Sequence, residues 1–550
     1  MKGWEMARKI PQSNWFWYLS GIIFALIGTQ FQKGPGYMDS AYYTVGGLQL
    51  FEGNGFVEPY IWNYLANPKG LPAPAFVYWM PLPSLLAFMG MWLGRSPDFV
   101  WAKLPFLLMA GFLPVLTVYL TRKVITNPAY AWIAGGLAVF PGVYALYLTI
   151  PETFIPYMIG GGLFVIIAFF ANNQWIGGLE SFQRFLLLGF IAGWMHLTRA
   201  DGLIWLISAF GVVIWRIRPW QSRQKMRVAI NGLLALLLGY LILTGGWYYR
   251  NWVVFGSMFP PGNGKSLWLT SYNQLFAYPN DHLTFTNWLK AGLPAIIHAR
   301  LDALSLNLQN FLVVQGSIIL VPLILVGCWS KRHHSAVKFE TMMWLLILGM
   351  MTIVFPFAGS RGGFLHSGAA IQIFFWSMSV AGLEQLIIWM KKARGWGMST
   401  SMTLFGTFLI LINLFIAGWF FYQRVYRVPN HLVWNESIER YQRVGERLDD
   451  LHISKQFIAM VNNPPGFYWA TRRPSIVIPD GDIRHALAAA KRYGATYLLL
   501  EENQENLSNL YANPHDMSGV RLLETHEGVH FFLLLPEAEW GWGEISWFKK

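Results

Sequence analysis

Charged residues are scarce in this sequence. Only 13% of its 550 residues are Asp, Glu, Lys or Arg, whereas a soluble globular protein carries about 25%. Apolar residues make up 54% and aromatic residues 17%, and the mean hydropathy is positive. This composition excludes an ordinary soluble protein and predicts a polytopic α-helical membrane protein.

Cysteine is almost absent as well. Cys328 is the only cysteine, so an intrachain disulfide framework is excluded. The apolar residues around Cys328 predict a small core side chain. With no paired cysteine ligands, a divalent metal would have to be bound by scattered carboxylates.

Acidic residues are concentrated in one part of the chain. Residues 1–427 contain 29 Lys and Arg against 12 Asp and Glu, and residues 428–550 contain 12 against 16. The net charge of +13 therefore belongs to the apolar part, where it indicates membrane orientation rather than nucleic-acid binding. The composition shift also predicts two domains, 1–427 in the membrane and 428–550 as a soluble α/β domain.

The apolar segments predict about eleven spanning helices, because a span needs about 20 mostly apolar residues. The basic clusters between them are assigned to the cytoplasm by the positive-inside rule, which places the N-terminus inside and residues 428–550 outside. The N-terminal apolar run is expected to be a retained first helix rather than a signal peptide. The predicted spans are 14–31, 101–121, 129–149, 153–171, 183–198, 201–216, 228–247, 311–330, 340–358, 366–390 and 402–421.

Residues 75–94 are apolar enough to span, but a span there would move every later basic loop to the outside. Pro81 and Pro83 also disfavour a regular spanning helix. This segment is therefore predicted to be a juxtamembrane element within a long outer loop, 32–100. A second long outer loop is predicted at 248–310, and loops of this length are usually functional.

The tail alternates between helical and strand patterns, which predicts a small outward-facing α/β domain. The predicted elements are a helix over 435–451, strands over 457–461, 475–478 and 496–500, a turn over 462–466, a helix over 482–493 and a final strand pair around Gly528. We expect this domain to act as a lid or recognition element for the acceptor, or as a passive stabilising cap.

Two outward-facing acids stand apart from the others. Asp39 and Glu152 each lie where an outer loop meets a span, and an unpaired charge is costly there. Asp39 would serve as a general base, and Glu152 as its partner or as a second metal ligand. Both also have structural interpretations, Asp39 as a helix cap and Glu152 as a partner of a helix dipole.

A phosphate leaving group needs nearby positive charge. Candidates at the outer face are Lys69, Arg199 and Arg361, with His366 close to Arg361 in a glycine-rich turn. Each has an alternative role: Lys69 and Arg361 could contact lipid headgroups, Arg199 could form a local ion pair with Asp201, and His366 could be a satisfied polar residue.

Several motifs in this order resemble those of the GT-C superfamily of membrane glycosyltransferases. They are MDSAYY at Asp39 with the following LQLFEGNGF, the proline-rich segment with GRSPDFVWAKLP, the acid at Glu152, the turn LTRADGLIW, and YYRNWVVFGSMFPP at the second long loop. The superfamily contains protein O-mannosyltransferases and the lipid A aminoarabinose transferase. The resemblance covers about residues 14–420.

The resemblance implies an inverting hexosyl- or pentosyltransferase that uses a polyprenyl-phosphate sugar, with Asp39 as the base. The acceptor would be a glycan, lipid or protein at the extracytoplasmic face of a cell membrane. The chain departs from the common pattern in having one acid where many members have two. Lys69 is only a loose match to the lysine that precedes a double proline in many members. The alternative functions are a transporter or flippase for a lipid-linked or anionic substrate, and a structural envelope protein.

Overall fold

The computed structural model describes residues 13–171, 178–427, 432–515 and 517–540. The basic cluster at Lys2, Arg8 and Lys9, on which the predicted cytoplasmic N-terminus depends, lies outside these residues. Most of the described chain is helical. The α-helices before the tail are Asn14–Thr29, Met38–Phe51, Leu82–Gly94, Phe99–Ala102, Leu104–Ala110, Phe112–Val124, Ala131–Val139, Phe154–Val165, Gly178–Thr198, Leu203–Ile217, Arg223–Phe255, Phe285–Lys290, Leu293–Asn310, Leu320–Ser330, Ser335–Gly349, Pro356–Ala358, Phe364–Gly368, Gln372–Arg394 and Met398–Phe421.

Six helices in the described part of the chain are long and apolar enough to cross a membrane, or seven if a bent pair is counted as one span. The count of about eleven spans therefore remains a prediction. The bent pair, Leu293–Gln315 with Leu320–Ser330, turns by 94°. The span predicted over 311–330 is interrupted, because the chain bends within it at Ser317 and Ile318, which both have positive φ.

The proline-rich apolar segment forms a short helix, Leu82–Gly94, of 13 residues. At 1.5 Å per residue it is about 20 Å long, less than the ~30 Å of hydrocarbon that a span must cross. Its small residues pack against the helix Met38–Phe51, where a Cβ on Gly47 would lie 2.9 Å from that of Ala87. The predicted juxtamembrane element is thus a helix that supports the segment carrying Asp39.

The tail forms a mixed six-stranded sheet. The described chain has eight strands, of which β1 and β3 form a separate pair and the other six form this sheet. They are β1 Val57–Glu58, β2 Tyr60–Ile61, β3 Ala73–Pro74, β4 Ile458–Val461, β5 Ser475–Val477, β6 Ala495–Glu501, β7 Val520–His526 and β8 Val529–Leu534. The order in the sheet is β2-β5-β4-β6-β8-β7. The first four of these pair in parallel and the last two pair antiparallel. Helices Glu436–Asp450, Pro464–Thr471, Ile483–Tyr493 and Ser508–Ala512 complete the tail.

One strand of this sheet comes from the first long loop, residues 32–100. Strand β2 pairs with β5, with Tyr60 opposite Ser475 and Ile61 opposite Ile476. A bridge between Ala277 and Asp480 joins the second long loop to the same region. The sheet therefore includes residues from both sides of the domain boundary predicted at residue 428.

The turn predicted over 462–466 is instead the start of the helix Pro464–Thr471. Asn463 caps this helix by accepting a hydrogen bond from the Gly466 amide, and the two prolines that suggested a turn occupy the first helical positions, where proline is tolerated. The helix packs against Met38–Phe51, where Gln49 donates to the Tyr468 hydroxyl. The tail thus contacts the helix that carries Asp39.

Candidate active site

Asp39 is the second residue of the helix Met38–Phe51. Tyr37 occupies the N-cap position, so Asp39 is not the cap residue that its alternative interpretation requires. A carboxylate in the first turn is favoured by the positive end of the helix dipole. The helix start is oriented by Gly36, whose φ of +79° and close contact with the Trp434 ring leave no room for a side chain. The Asp39 side chain is one-third exposed.

Glu152 lies just before the helix Phe154–Val165 and is 2% exposed. The Thr153 hydroxyl donates to Glu152 Oε1 at 3.0 Å and lies 2.9 Å from His366 Nδ1. His366 Nδ1 is 3.1 Å from Glu152 Oε1, and His366 Nε2 is 3.9 Å from Asp39 Oδ2. The imidazole stacks on Phe154 with 4.1 Å between ring centroids. Asp39, Glu152 and His366 thus form one cluster.

His366 reaches the cluster because the chain turns sharply before it. Gly362 has a φ of +129°, which strongly favours glycine. A Cβ on Gly363 would lie 2.7 Å from the Ala358 carbonyl oxygen. The glycine-rich turn recognised in the sequence therefore serves mainly to place His366 and Arg361.

The charges of this cluster are not balanced within it. The pKa of the Asp39 carboxyl is raised to about 8, chiefly by burial and also by the Glu152 carboxylate, while Arg199 opposes both effects. Glu152 Oε2 is buried and has no hydrogen-bond partner among the described residues.

One ligand atom from each of Asp39, Glu152 and His366 lies within 4.8 Å of the others. Two carboxylates and an imidazole are ligands that divalent cations accept. The Glu152 oxygen without a partner and the proximity of two carboxylates are therefore consistent with a divalent cation bound between Asp39, Glu152 and His366.

Arg199 lies beside the cluster and is held by two neighbours. Its Nε donates to Asp201 Oδ1 at 2.8 Å and its Nη2 to the Ser367 hydroxyl at 3.3 Å. Tyr157 donates to Asp201 Oδ2 at 3.2 Å, and its ring lies under the guanidinium. The local ion pair with Asp201 is thus present, and it positions Arg199 next to His366 instead of removing it from the site.

The other predicted cations lie in different surroundings. The Arg361 guanidinium stacks on Tyr272, 5.0 Å from the ring centroid. Burial raises the pKa of the Tyr272 hydroxyl, as does the charge of Asp39, while Arg361 lowers it, so Tyr272 lies within electrostatic reach of both Asp39 and Arg361. Lys69 is exposed and lines a separate cavity with Glu58 and Asn63. The structure therefore groups Asp39, Glu152, His366, Arg199 and Arg361, and separates Lys69.

Two sequence runs in the tail have the residue spacing of known metal-binding motifs, but their surroundings are not those of a metal site. The run His526–Glu527–Gly528–Val529–His530 has the HExxH spacing, but it forms the β7 to β8 hairpin rather than a helix, so the histidines do not share a helical face. Asp480 and Asp482 have the DxD spacing. Asp482 caps a helix and pairs with Arg484, and Asp480 accepts a hydrogen bond from Asn506.

Sequence reasoning assigned His366 to the phosphate and missed its contact with the acids. It also missed Thr153, Tyr157 and Ser367, which hold the imidazole, Asp201 and Arg199 in place. The only signal for Thr153 and Ser367 was their position next to Glu152 and His366. Tyr157 lies five residues after Glu152 and carried no signal of its own.

The fold defines a class of membrane protein. No protein-family model matches the sequence, and no curated protein sequence matches it. Solved structures do match, and they are GT-C glycosyltransferases, so the predicted resemblance to that superfamily is confirmed at the level of the fold.

One such structure is ArnT from Cupriavidus metallidurans bound to undecaprenyl phosphate, with a TM-score of 0.54 at 10% identity over 94% of this chain and 98% of that one. The apo state of the same protein has a TM-score of 0.53 at 10% identity, over 93% and 97% of the two chains. The archaeal oligosaccharyltransferase AglB from Archaeoglobus fulgidus has a TM-score of 0.47 at 12% identity, over 95% and 74%.

Proposed function

We propose that this protein is an inverting glycosyltransferase that moves a sugar from a polyprenyl-phosphate donor to an acceptor at the extracytoplasmic face of the membrane. The observation that carries the proposal is the cluster of Asp39, Glu152 and His366 with its unpartnered Glu152 oxygen. It occurs in a fold shared with ArnT, which has been solved with undecaprenyl phosphate.

In this reaction an acceptor hydroxyl attacks the anomeric carbon of the donor sugar. The bond from that carbon to the phosphate oxygen breaks, its electron pair leaves with the phosphate, and the acceptor proton passes to Asp39. Attack on the face opposite the leaving phosphate inverts the anomeric configuration. A carboxylate can accept the proton only in its ionised form, so nearby positive charge is needed to keep Asp39 ionised.

The departing phosphate gains negative charge, and the guanidinium groups of Arg199 and Arg361 would stabilise that charge. Arg199 is oriented by Asp201 and Ser367, so its guanidinium needs little rearrangement to stabilise charge as it develops. Arg361 is held against Tyr272. Asp39, Glu152 and His366 would hold a divalent cation, which supplies positive charge for the phosphate and for the ionised Asp39.

A transporter for a lipid-linked substrate is the second candidate. Interrupted helices near polar groups are common in transporters, and the chain has a helix pair bent by 94° with Gln315 and Gln372 buried beside it. The enzyme is favoured because the two opposed acids and His366 lie together at helix ends.

Transfer from a purified polyprenyl-phosphate sugar in liposomes tests the proposal. Asp39→Asn should lower the rate by about 10² to 10⁴, because the general base is lost while the shape is kept. Binding of undecaprenyl phosphate should be retained. Asp39→Glu should recover little, since one added methylene displaces the carboxylate.

Glu52→Gln is the matched control. Glu52 ends the same helix, is exposed, and lies 3.9 Å from Arg472, so this substitution should leave transfer unchanged. Near wild-type transfer by the Asp39→Asn protein would contradict the assignment of Asp39. Movement of intact donor without transfer would favour the transporter.

A further inference from the structure

The cavity that Lys69 lines lies beside the first long loop. Its volume is about 680 Å³, and it opens between strands β1 to β3 and the end of the long helix Arg223–Phe255. We call it the loop cavity. Its lining includes Glu58, Tyr60, Trp62, Asn63, Lys69 and Phe255. The volume falls within the range of about 300 to 1,000 Å³ that small-molecule sites occupy.

Three neighbouring side chains of the loop cavity carry buried hydrogen-bonding groups without a partner. They are the Tyr60 hydroxyl, the Trp62 indole nitrogen and the Asn63 amide nitrogen, none of which has a partner among the described residues. The three residues are 0%, 2% and 5% exposed. Buried donors are nearly always satisfied in folded proteins, so three of them in four residues indicate a site that binds hydrogen-bond acceptors.

These groups are held in place by contacts that leave their donors free. The Trp62 ring stacks on Trp79 with 4.2 Å between centroids, and Asn63 Oδ1 accepts from the Leu65 amide, which directs its nitrogen elsewhere. Tyr60 lies in strand β2 and packs its ring against Tyr468. The neighbouring Tyr64, in contrast, donates to the Val477 carbonyl. The tail domain therefore positions one wall of the loop cavity.

The loop cavity is linked to the helix that carries Asp39 through Glu58. Glu58 accepts from the Tyr42 hydroxyl at 2.6 Å and from the Phe76 amide at 2.9 Å. Tyr42 lies three residues after Asp39 on the same helix, and residues with this spacing share a helix face. Burial raises the pKa of the Glu58 carboxyl to about 7. The hydrogen bond between Glu58 and Tyr42 therefore connects the lining of the loop cavity to the helix that carries Asp39.

We propose that the loop cavity binds the carbohydrate part of the acceptor, an inference that rests on the proposed transferase function. A sugar presents many hydroxyl groups that accept from Tyr60, Trp62 and Asn63 and that donate to Glu58. Its apolar ring faces suit an aromatic wall. A phosphate suits this cavity less well, because Lys69 is the only cation among its lining residues and is exposed, while the acid Glu58 is buried.

Saturation-transfer NMR on the full-length protein in lipid nanodiscs tests this proposal. The probes are the methyl glycosides of glucose, galactose, mannose and N-acetylglucosamine, and nanodiscs avoid competition from glycoside detergents. We expect at least one glycoside to bind the wild-type protein. Tyr60→Phe and Asn63→Asp each remove one donor and keep the shape, so each should weaken binding by about tenfold. Tyr60→Phe should leave the melting temperature unchanged, because no hydrogen bond within the described structure is lost, whereas Asn63→Asp also buries a negative charge and should lower it.

Tyr64→Phe is the matched control in the same segment. It removes a hydrogen bond to Val477, so it should lower the melting temperature while glycoside binding stays at the wild-type level. The loop-cavity variants should also raise the KM for the acceptor with little change in kcat, and they should bind undecaprenyl phosphate normally.

Two outcomes would overturn the proposal: none of the four glycosides binds, or binding is equal in wild type, Tyr60→Phe and Asn63→Asp. The Asp39→Asn protein separates this failure from failure of the proposed function. If Asp39→Asn transfers sugar normally while the glycosides bind as predicted, the catalytic assignment fails and the loop cavity stands. If Asp39→Asn is inactive and the loop-cavity variants keep the wild-type KM and binding, the loop-cavity assignment fails alone.

Discussion

The acids of the cluster at the helix ends, Asp39 and Glu152, and the acids of the tail domain have different partners. In the tail, Glu524 accepts two hydrogen bonds from Arg447, at 2.8 and 2.7 Å, and Asp449 pairs with Arg473 at 2.6 Å. At the bundle end, Asp39 and Glu152 face one imidazole. The nearest arginine there is already paired with Asp201.

This difference separates structural acids from candidate functional ones. A buried carboxylate is tolerated when a guanidinium or several donors satisfy it. Placing two carboxylates together without their own cation costs stability, and proteins retain such arrangements mainly at functional sites. The hydrogen-bond donors of the loop cavity show the same contrast. The Tyr60, Trp62 and Asn63 donors have no partner among the described residues, whereas the hydroxyl of the neighbouring Tyr64 is hydrogen-bonded.

Replacing one buried glutamate by glutamine in each region should give the largest difference between the effects on transfer and on stability. Glu152→Gln should lower transfer by about 10² and leave the melting temperature unchanged or higher, because it removes a charge that opposes Asp39. Glu501→Gln should lower stability and leave transfer unchanged. Glu501 accepts from the Tyr441 hydroxyl at 2.6 Å and pairs with Arg440 at 3.4 Å, so stability should fall while transfer persists.

Thermal melting and transfer assays on the two purified variants check this prediction. If Glu152→Gln destabilised the protein without affecting transfer, Glu152 would be a structural acid like those of the tail.

The buried arginine of the tail offers a smaller effect that is confined to stability. Arg473 is fully buried, and its guanidinium donates to Asp449 and to the Ile453 and Ser454 carbonyls. Arg473→Met should destabilise the tail domain by about 2 to 3 kcal/mol, the range for losing hydrogen bonds to a charged group. Chemical denaturation followed by limited proteolysis of the tail measures it. Binding of undecaprenyl phosphate should not change, and its loss would show that the tail also organises the donor site.

Divalent cations should produce an effect on stability that is specific to the cluster of Asp39, Glu152 and His366. Titration with Mn²⁺ or Mg²⁺ should raise the melting temperature of the wild-type protein, because a ligand that binds only the folded state stabilises it. At 100 times the dissociation constant the gain would be about 2.7 kcal/mol. His366→Ala should remove most of this response, since one of the three ligand groups is lost. An equal response in both proteins would place the cation elsewhere.

Deletion of residues 430–550 would not isolate the role of the tail. It would remove the partner of strand β2 and the Trp434 indole that donates to the Gly34 carbonyl. Point changes at Tyr60 and Asn63 test acceptor binding without that damage. Glu58, in the same loop region as Glu52, is unsuitable as a control position, because it is buried and hydrogen-bonded to Tyr42.

The order of the helices and the class of the fold could be predicted from the sequence. Apolar runs of span length and the low charge content depend only on local composition, and so do the alternating elements of the tail, where the helix predicted over 482–493 is observed as Ile483–Tyr493. The candidate acids Asp39 and Glu152 could also be identified, because acids are so rare before residue 428.

Only the tertiary structure decided which of these residues meet. Asp39, Glu152 and His366 are separated by more than 100 residues at each step, and their convergence depends on helix packing and on the glycine turn before His366. The separation of Lys69, the break at Ser317 and the strand that the first loop adds to the tail sheet are likewise long-range results. Local sequence carries little information about them, because each depends on contacts between segments that are distant in the chain.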